Sequence, residues 1–180
     1  MIDKKYNKQY KIMHNEGWYD GRPKTDEWII AKKLFDQTGC KTLLDFGCGK
    51  AKHWRPMIVR PWGKLKPTYY DPAVPRYSTL PLKHHDMIMS TDCLEHIPEH
   101  ILPKIIRYCT QKSRKANFHF IDCGLAKKFL PNGENAHCTI QSADWWAELF
   151  ETHAVRKIPT ILTFAGSQRG KSIIKLWNRT

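Results

Sequence analysis

The amino-acid sequence predicts an α/β protein whose open sheet carries a ligand pocket at the carboxyl ends of its strands. Three observations lead there. An apolar run, Thr42-Leu43-Leu44, closes on Asp45-Phe46 and is followed by Gly47-Cys48-Gly49-Lys50, so a short strand feeds a turn with glycines at alternate positions. Two further apolar runs end in acids, Thr68-Tyr69-Tyr70 in Asp71 and Met87-Ile88-Met89 in Asp92. Segments of helical period alternate with these runs. Glycine lacks a Cβ, so the backbone can turn sharply and approach a ligand. In open α/β sheets the ligand sits just beyond the strand ends.

The elements follow in order. Residues 1–24 are polar and aromatic, interrupted by Gly17, Gly21 and Pro23, and no element is predicted there. Residues 25–38 read as a helix with Thr25 as N-cap, because Trp28, Ile29, Ala31, Leu34 and Phe35 recur at helical spacing and Gly39 is a natural stop. Strands are predicted at 41–46, with a short helix after Gly49, then at about 67–71 and at 86–91. Pro72, Pro75 and Pro81 leave little room between the last two, so a strand there is brief or absent. Pro98 opens a helix over 98–111, with Ile101, Leu102, Ile105, Ile106 and Cys109 on one face. A strand at 116–122 precedes a loop over 123–142. Asp144 is placed to cap a helix holding Trp145, Trp146, Leu149 and Phe150, and two strands, about 155–164 and 171–177, finish the chain. Residues 1–39 are read as a segment and helix covering the site, and 40–180 as the domain that forms it.

Composition narrows the class. The chain has 180 residues, which suits one domain with a full core, and 41% apolar content with 12% aromatics argues for a globular protein. The net charge of +13 is unevenly spread. Lys50, Lys52, Arg55, Arg60, Lys64 and Lys66 lie between Asp45 and Asp71 with no acid among them, and Arg156, Lys157, Arg169, Lys171, Lys175 and Arg179 follow Glu151 in the same way. Such a field favours an anionic partner. The cysteines at 40, 48, 93, 109, 123 and 138 form no Cys-x-x-Cys pair and mostly adjoin apolar runs, which points to a reducing, cytoplasmic compartment. The first residues lack the apolar stretch of a signal peptide, and no run approaches the roughly 20 residues of a membrane span. The expected state is a monomer or weak dimer.

Several pockets are excluded by spelling. There is no Gly-x-x-x-x-Gly-Lys-Ser/Thr phosphate loop, and Asp45-Phe-Gly-Cys-Gly-Lys50 runs on into Ala51 and Lys52 without the third glycine of a dinucleotide fingerprint. What remains is the glycine loop, the acid Asp71 placed to accept from ribose hydroxyls, and Asp92-Cys93-Leu94-Glu95-His96-Ile97-Pro98.

Together these resemble the class I methyltransferases that use S-adenosylmethionine (SAM). The resemblance spans roughly 40–177 and implies a three-layer Rossmann-like sheet of seven strands, order 3-2-1-4-5-7-6, with strand seven antiparallel. It implies that Gly47, Cys48 and Gly49 wrap the methionine portion of SAM, with Asp45 positioning that loop or reaching the amino group through water. It implies that Asp71 binds the ribose, with Pro72 and Ala73 beside the adenine, and that Asp92 faces the methionine end. His53 and Trp54 are within reach of the cofactor, with core packing the expected role for Trp54. The chain departs from the family in two places. Lys112-Ser113-Arg114-Lys115 stands where a Pro-Gly-Gly turn is common, and the usual acid of the third strand has no equivalent. Tyr10 to His14, Asp71-Pro-Ala-Val, Leu130-Pro-x-Gly, Asn135-Ala-His137 and Trp145-Trp146 are similar to a set of small bacterial and phage methyltransferase-like proteins, which does not define an acceptor.

The implied activity is methyl transfer to a hydroxyl or amine of a small metabolite or glycan precursor. The alternatives are an RNA or nucleotide 2′-O-type methyltransferase, and a protein that binds or degrades SAM without transfer. A proton must leave the acceptor, and histidine is the usual base. His96 follows a strand end and His137 sits in the loop after another, so these two are the catalytic candidates, and His14 could close over the cofactor. Asp92-x-x-Glu95-His96 is also similar to the Glu-x-x-Glu-His pattern that holds a divalent ion in small-RNA 2′-O-methyltransferases, with His137 as a fourth ligand. Leu-Glu-His-Ile-Pro occurs equally in methyltransferases that bind no metal, so the expectation is no metal. The Asn/Asp-Pro-Pro-Tyr/Phe signature of exocyclic-amine DNA methylation and the Pro-Cys pair of C5-cytosine chemistry are absent. The Trp145-Trp146 pair could stack on a base or sugar.

Overall fold

The computed structural model describes residues 3–17, 25–54, 62–166 and 172–177, which form one six-stranded sheet with helices on both faces. The strands are β1 (Leu43–Phe46), β2 (Thr68–Tyr70), β3 (His85–Thr91), β4 (Ser113–Asp122), β5 (Thr160–Ala165) and β6 (Ser172–Leu176). The helices are α1 (Lys4–Asn15), α2 (Thr25–Gln37), α3 (Leu102–Lys112) and α4 (Ala143–His153). The sheet order is β2-β1-β3-β4-β5-β6, parallel throughout except for the antiparallel β5–β6 pair. The architecture is Rossmann-like α/β.

Burial on both faces explains the near-continuous apolar strands, because a parallel sheet is covered on each side. Successive strand side chains alternate faces. Leu43, Met87, Met89, Phe118 and Phe120 therefore pack on Trp28, Ala31, Leu34 and Phe35 of α2. Their neighbours Leu44, Ile88, Ile121, Leu162 and Phe164 pack on Ile105, Ile106 and Cys109 of α3 and on Trp146 and Phe150 of α4. Gly39, at φ +60°, ends α2 as expected, with its N–H on the Asp36 carbonyl and the Cys40 N–H on that of Phe35. The Thr25 side chain, expected to cap α2, lies outside the described residues, as do 55–61, where the helix after Gly49 was to continue; Lys52–Trp54 form a 3₁₀ turn.

Two features of the expected sheet are corrected. No third strand exists among the described residues: 71–84 form turns, including a 3₁₀ turn at Pro75–Tyr77, so β2 is the edge and the count is six. Proline at 72, 75 and 81 removes the donors a ladder would need. The order at the other edge also differs from 3-2-1-4-5-7-6. The strand after α4 lies directly beside β4, and the final antiparallel strand takes the edge instead of inserting between them. Burial accounts for this: Thr160–Phe164 are buried at every position and suit the interior, whereas β6 alternates, with Ile173 half exposed and Leu176 buried.

Local boundaries shift for physical reasons. β4 begins at Ser113, directly after α3, and β5 begins only at Thr160. Ser142, not Asp144, caps α4, its Oγ accepting the Trp145 N–H at 3.1 Å. The largest surprise is α1, in a segment expected to be irregular. Asp3 caps it by accepting the N–H groups of Lys5 and Tyr6, and its buried face carries Met13 and His14. No described helix is long and apolar enough to cross a membrane, and no disulfide joins the six cysteines.

Candidate functional site

A cavity of about 480 Å³ opens at the carboxyl ends of β1, β3 and β4 and is covered by α1. Its wall includes Gly47, Cys48, Gly49, Asp71, Pro72, Asp92, His96 and His137, so the structure gathers these candidates, drawn from four separate segments, around one space. Asp45 is different: it is 1% exposed and sits behind the wall. Its Oδ2 accepts from Trp54 Nε1 at 2.7 Å and from His53 Nε2 at 2.9 Å, tying the 3₁₀ turn beneath the glycine loop. Trp54 packs on Trp28 and Trp62, as core, while His53 reaches the cavity wall.

The glycine loop is held from both sides. Gly47 and Cys48 donate their N–H groups to the Tyr70 carbonyl at 2.7 and 3.1 Å, which joins the loop to the end of β2. Gly47 has φ +79°, and a Cβ there would lie 2.1 Å from Cys93 Sγ. Glycine is thus required twice, by backbone and by space. Asp71 Oδ2 accepts the Gly49 N–H at 2.8 Å and Oδ1 accepts that of Ala73 at 2.8 Å. Asp71, expected to accept from ribose hydroxyls, is only 8% exposed and serves as a brace for the loop. Burial pushes its carboxyl above the usual range, opposed by His14 and by the two N–H donors. His14 is held below its ordinary value by burial, with the Asp71 charge opposing.

At the other end, Glu95 and His96 occupy a 3₁₀ turn after β3. Asp92, just before it, adopts φ +48°, a conformation that non-glycine residues visit mainly where the surroundings impose it. Glu95 is fully buried. Its Oε1 accepts the Asp122 N–H at 2.9 Å, while Oε2 has no hydrogen-bond partner. Burial, and then the nearby Asp92, push its carboxyl up to about 8. His96 donates Nδ1–H to the Ala136 carbonyl at 2.6 Å, and His137 donates Nδ1–H to that of Gly124 at 2.6 Å. The two rings meet edge to face, 4.8 Å between centroids. Burial, reinforced by His137, pulls His96 down to about 3, so it stays neutral.

Residues 123–142 are mainly loop, as expected, and within them 124–139 fold into an arm. Phe129 and Asn135 form an antiparallel bridge, and the Asn135 side chain bonds both backbone groups of Ala126 and accepts the His137 N–H at 2.9 Å. Tyr10 of α1 donates its hydroxyl to the Ala136 carbonyl at 2.8 Å, and Met13 packs on Leu130 and Ala136. Helix α1 and this arm therefore form one cover over the cavity.

Sequence reasoning missed Asp122, which closes β4 and lines the cavity. The signal was present, since it ends an apolar run as Asp45, Asp71 and Asp92 do. The Trp145–Trp146 pair is not at the cavity: Trp146 is wholly buried in the core, and Trp145 borders a separate shallow hollow. Of the basic residues, Lys50 and Lys52 line the cavity together with Lys127 and Lys128, whereas Arg55, Arg60, Arg169, Lys171 and Arg179 lie outside the described residues. No protein-family model and no curated protein matches this chain.

Proposed function

We propose that this protein is a SAM-dependent methyltransferase acting on a hydroxyl or amine of a small metabolite or glycan precursor. The observation that supports this best is the braced glycine loop, Gly47-Cys48-Gly49, anchored by Tyr70 and Asp71 in the wall of a 480 Å³ cavity at the strand ends. That volume falls within the roughly 300–1,000 Å³ of small-molecule sites. In this reading the loop and Asp71 hold the nucleoside and amino-acid parts of SAM, and α1 closes over them.

The sulfonium is already electrophilic, so alignment supplies much of the rate. A lone pair of the acceptor forms a bond to the methyl carbon, the carbon–sulfur bond breaks with its electrons going to sulfur, and the acceptor proton leaves. Of the two histidine candidates, His137, whose Nδ1–H is committed to the Gly124 carbonyl, carries the Nε2 lone pair suited to take that proton, whereas burial keeps His96 neutral beside it as an orienting neighbour. A second reading, an RNA or nucleotide acceptor, is favoured by Lys50, Lys52, Lys127 and Lys128 around the cavity.

Calorimetry with SAM and S-adenosylhomocysteine tests the reading, and micromolar affinity is expected, about −7 to −8 kcal/mol. Absence of heat and of any thermal shift with both ligands would sink it. Product analysis separates transfer from the alternatives: S-adenosylhomocysteine formed only when an acceptor is present means transfer, and cleavage without one means degradation.

A further inference from the structure

We propose that Glu95, His96 and His137 hold a divalent first-row transition-metal ion at the acceptor end of the cavity. One ligand atom from each lies within 4.8 Å of the others. Metal–ligand bonds of about 2.1 Å in tetrahedral geometry place donors roughly 3.4 Å apart, so closing the set takes shifts of about 1 Å. Both imidazoles present Nδ1–H to backbone carbonyls, which sets the tautomer that leaves Nε2 as the donor atom, the arrangement by which metal-binding histidines are usually oriented. The two segments that carry the ligands are sewn together. The Thr139 N–H donates to the Glu95 carbonyl at 3.0 Å, the Thr139 hydroxyl donates to the Ile97 carbonyl at 2.7 Å, and His96 reaches Ala136.

The independent observation is Glu95 Oε2, buried without a hydrogen-bond partner in a fully buried side chain. An orphaned buried polar atom is costly, about 1–3 kcal/mol. A cation beside two neutral imidazoles removes that cost and satisfies all three side chains together. Two nitrogens and one carboxylate oxygen suit Mn²⁺, Fe²⁺, Co²⁺ or Zn²⁺ over Mg²⁺ and Ca²⁺, which prefer all-oxygen sets. His96 and His137 also line the cavity, so the remaining coordination positions open onto the ligand space.

The use of the ion rests on the methyl-transfer reading, whereas its binding does not. In turnover the ion binds the hydroxyl oxygen of the acceptor and lowers its pKa. The hydroxyl proton passes to water, the oxygen bonds to the methyl carbon, and the sulfonium leaves as a neutral thioether. The Nε2 atoms then serve as ligands and the ion replaces them in promoting proton loss.

The test is titration of the untagged, chelator-treated full chain with Mn²⁺, read by loss of the aquo-ion electron paramagnetic resonance signal; Mn²⁺ is chosen because the six thiols bind it poorly. Saturable binding at one ion per chain is expected, weakened tenfold or more in His137→Ala and in Glu95→Gln. No saturable binding by the folded wild type, or equal affinity in both variants, overturns the proposal. Because Glu95→Gln alters a buried group, a measurement on the wild type stands beside it: substoichiometric Mn²⁺ should broaden the His96 and His137 imidazole resonances before those of the exposed His84 and His100, and uniform broadening overturns the site. SAM affinity of the metal-free protein reports on the methyl-transfer reading alone. Full turnover in excess chelator overturns the role given to the ion.

Discussion

Replacing Asp71 by alanine tests whether the carboxylate braces the glycine loop. Two N–H groups, the part-buried one of Gly49 and the buried one of Ala73, lose acceptors 2.8 Å away. Each such bond to a charged acceptor is worth about 1.5–3 kcal/mol, so the gross loss is roughly 3–6 kcal/mol. The variant also releases a carboxyl whose burial already disfavours its charge, and water can enter the vacated space, which offsets about half of the loss. The net expectation is about 1.5–3 kcal/mol, or roughly 3–12 °C in Tm for a chain of this length. Asp71→Asn keeps one acceptor oxygen but sets an amino group against the other N–H, so it should fall between the two. Circular-dichroism melts give the stability, and calorimetry gives the ligand effect. Loss of the brace and of a charge-assisted bond to ribose should weaken SAM binding by about 1.5–3 kcal/mol, roughly 10- to 150-fold. A folded Asp71→Ala protein melting within about 2 °C of wild type, with unchanged SAM affinity, would refute both the brace and the ribose role.

Gly47→Ala should destabilise by about 3–5 kcal/mol, because it combines left-handed strain with a Cβ only 2.1 Å from Cys93 Sγ and 2.7 Å from Cys93 Cβ. Cys93→Gly in the same chain should recover the steric part, and simple additivity in the double-mutant cycle would show that the contact is not the cause. Tyr10→Phe removes the hydroxyl that reaches Ala136 and should cost about 1 kcal/mol while speeding amide exchange in α1; unchanged exchange there would mean the cover is held otherwise. Glu95 holds its proton up to about 8 in the folded state against its ordinary 4.5, so the folded chain binds the extra proton between those values. The stability this contributes is present below about 4.5 and lost as the pH rises through about 8. The Tm of the chelator-treated, metal-free wild type should therefore fall more steeply from pH 5 to 8 than that of Glu95→Gln under the same conditions, and parallel curves would contradict the buried acid. His137→Ala should cut turnover by about 10²–10⁴-fold with SAM affinity nearly unchanged, whether its imidazole takes the proton or holds an ion, and a fully active variant would remove it from the site.

Much of the cavity wall was legible in the residues because its signals are local. Gly47 and Gly49 mark a turn wherever it falls in the fold, and an acid that closes an apolar run marks a strand end. Asp122 obeys the same rule as Asp71 and was overlooked for want of a glycine turn beside it. Helix α1 was not legible from apolar periodicity, since few of its positions are apolar; Asp3 as a cap, with Tyr6, Tyr10 and Met13 at helical spacing, was the available signal. Its stability is tertiary, drawn from the contact of Met13 with Leu130 and Ala136.

By itself, the sequence determined the α/β class, the run of strands and helices between Leu43 and Leu176, and the glycine turn at the end of β1. Each depends on backbone preferences and periodicities within a few residues. Only the tertiary structure decided the strand order, with β5 inside and β6 at the edge, because that choice turns on which strand is buried on both faces. It also decided that Asp71 faces the loop backbone, and that His137 comes to lie against His96 and Glu95 some forty residues earlier in the chain. That convergence rests on the Thr139, Ala136 and Asn135 bonds across the cover, and long-range closures of this kind leave no imprint on any short window of sequence.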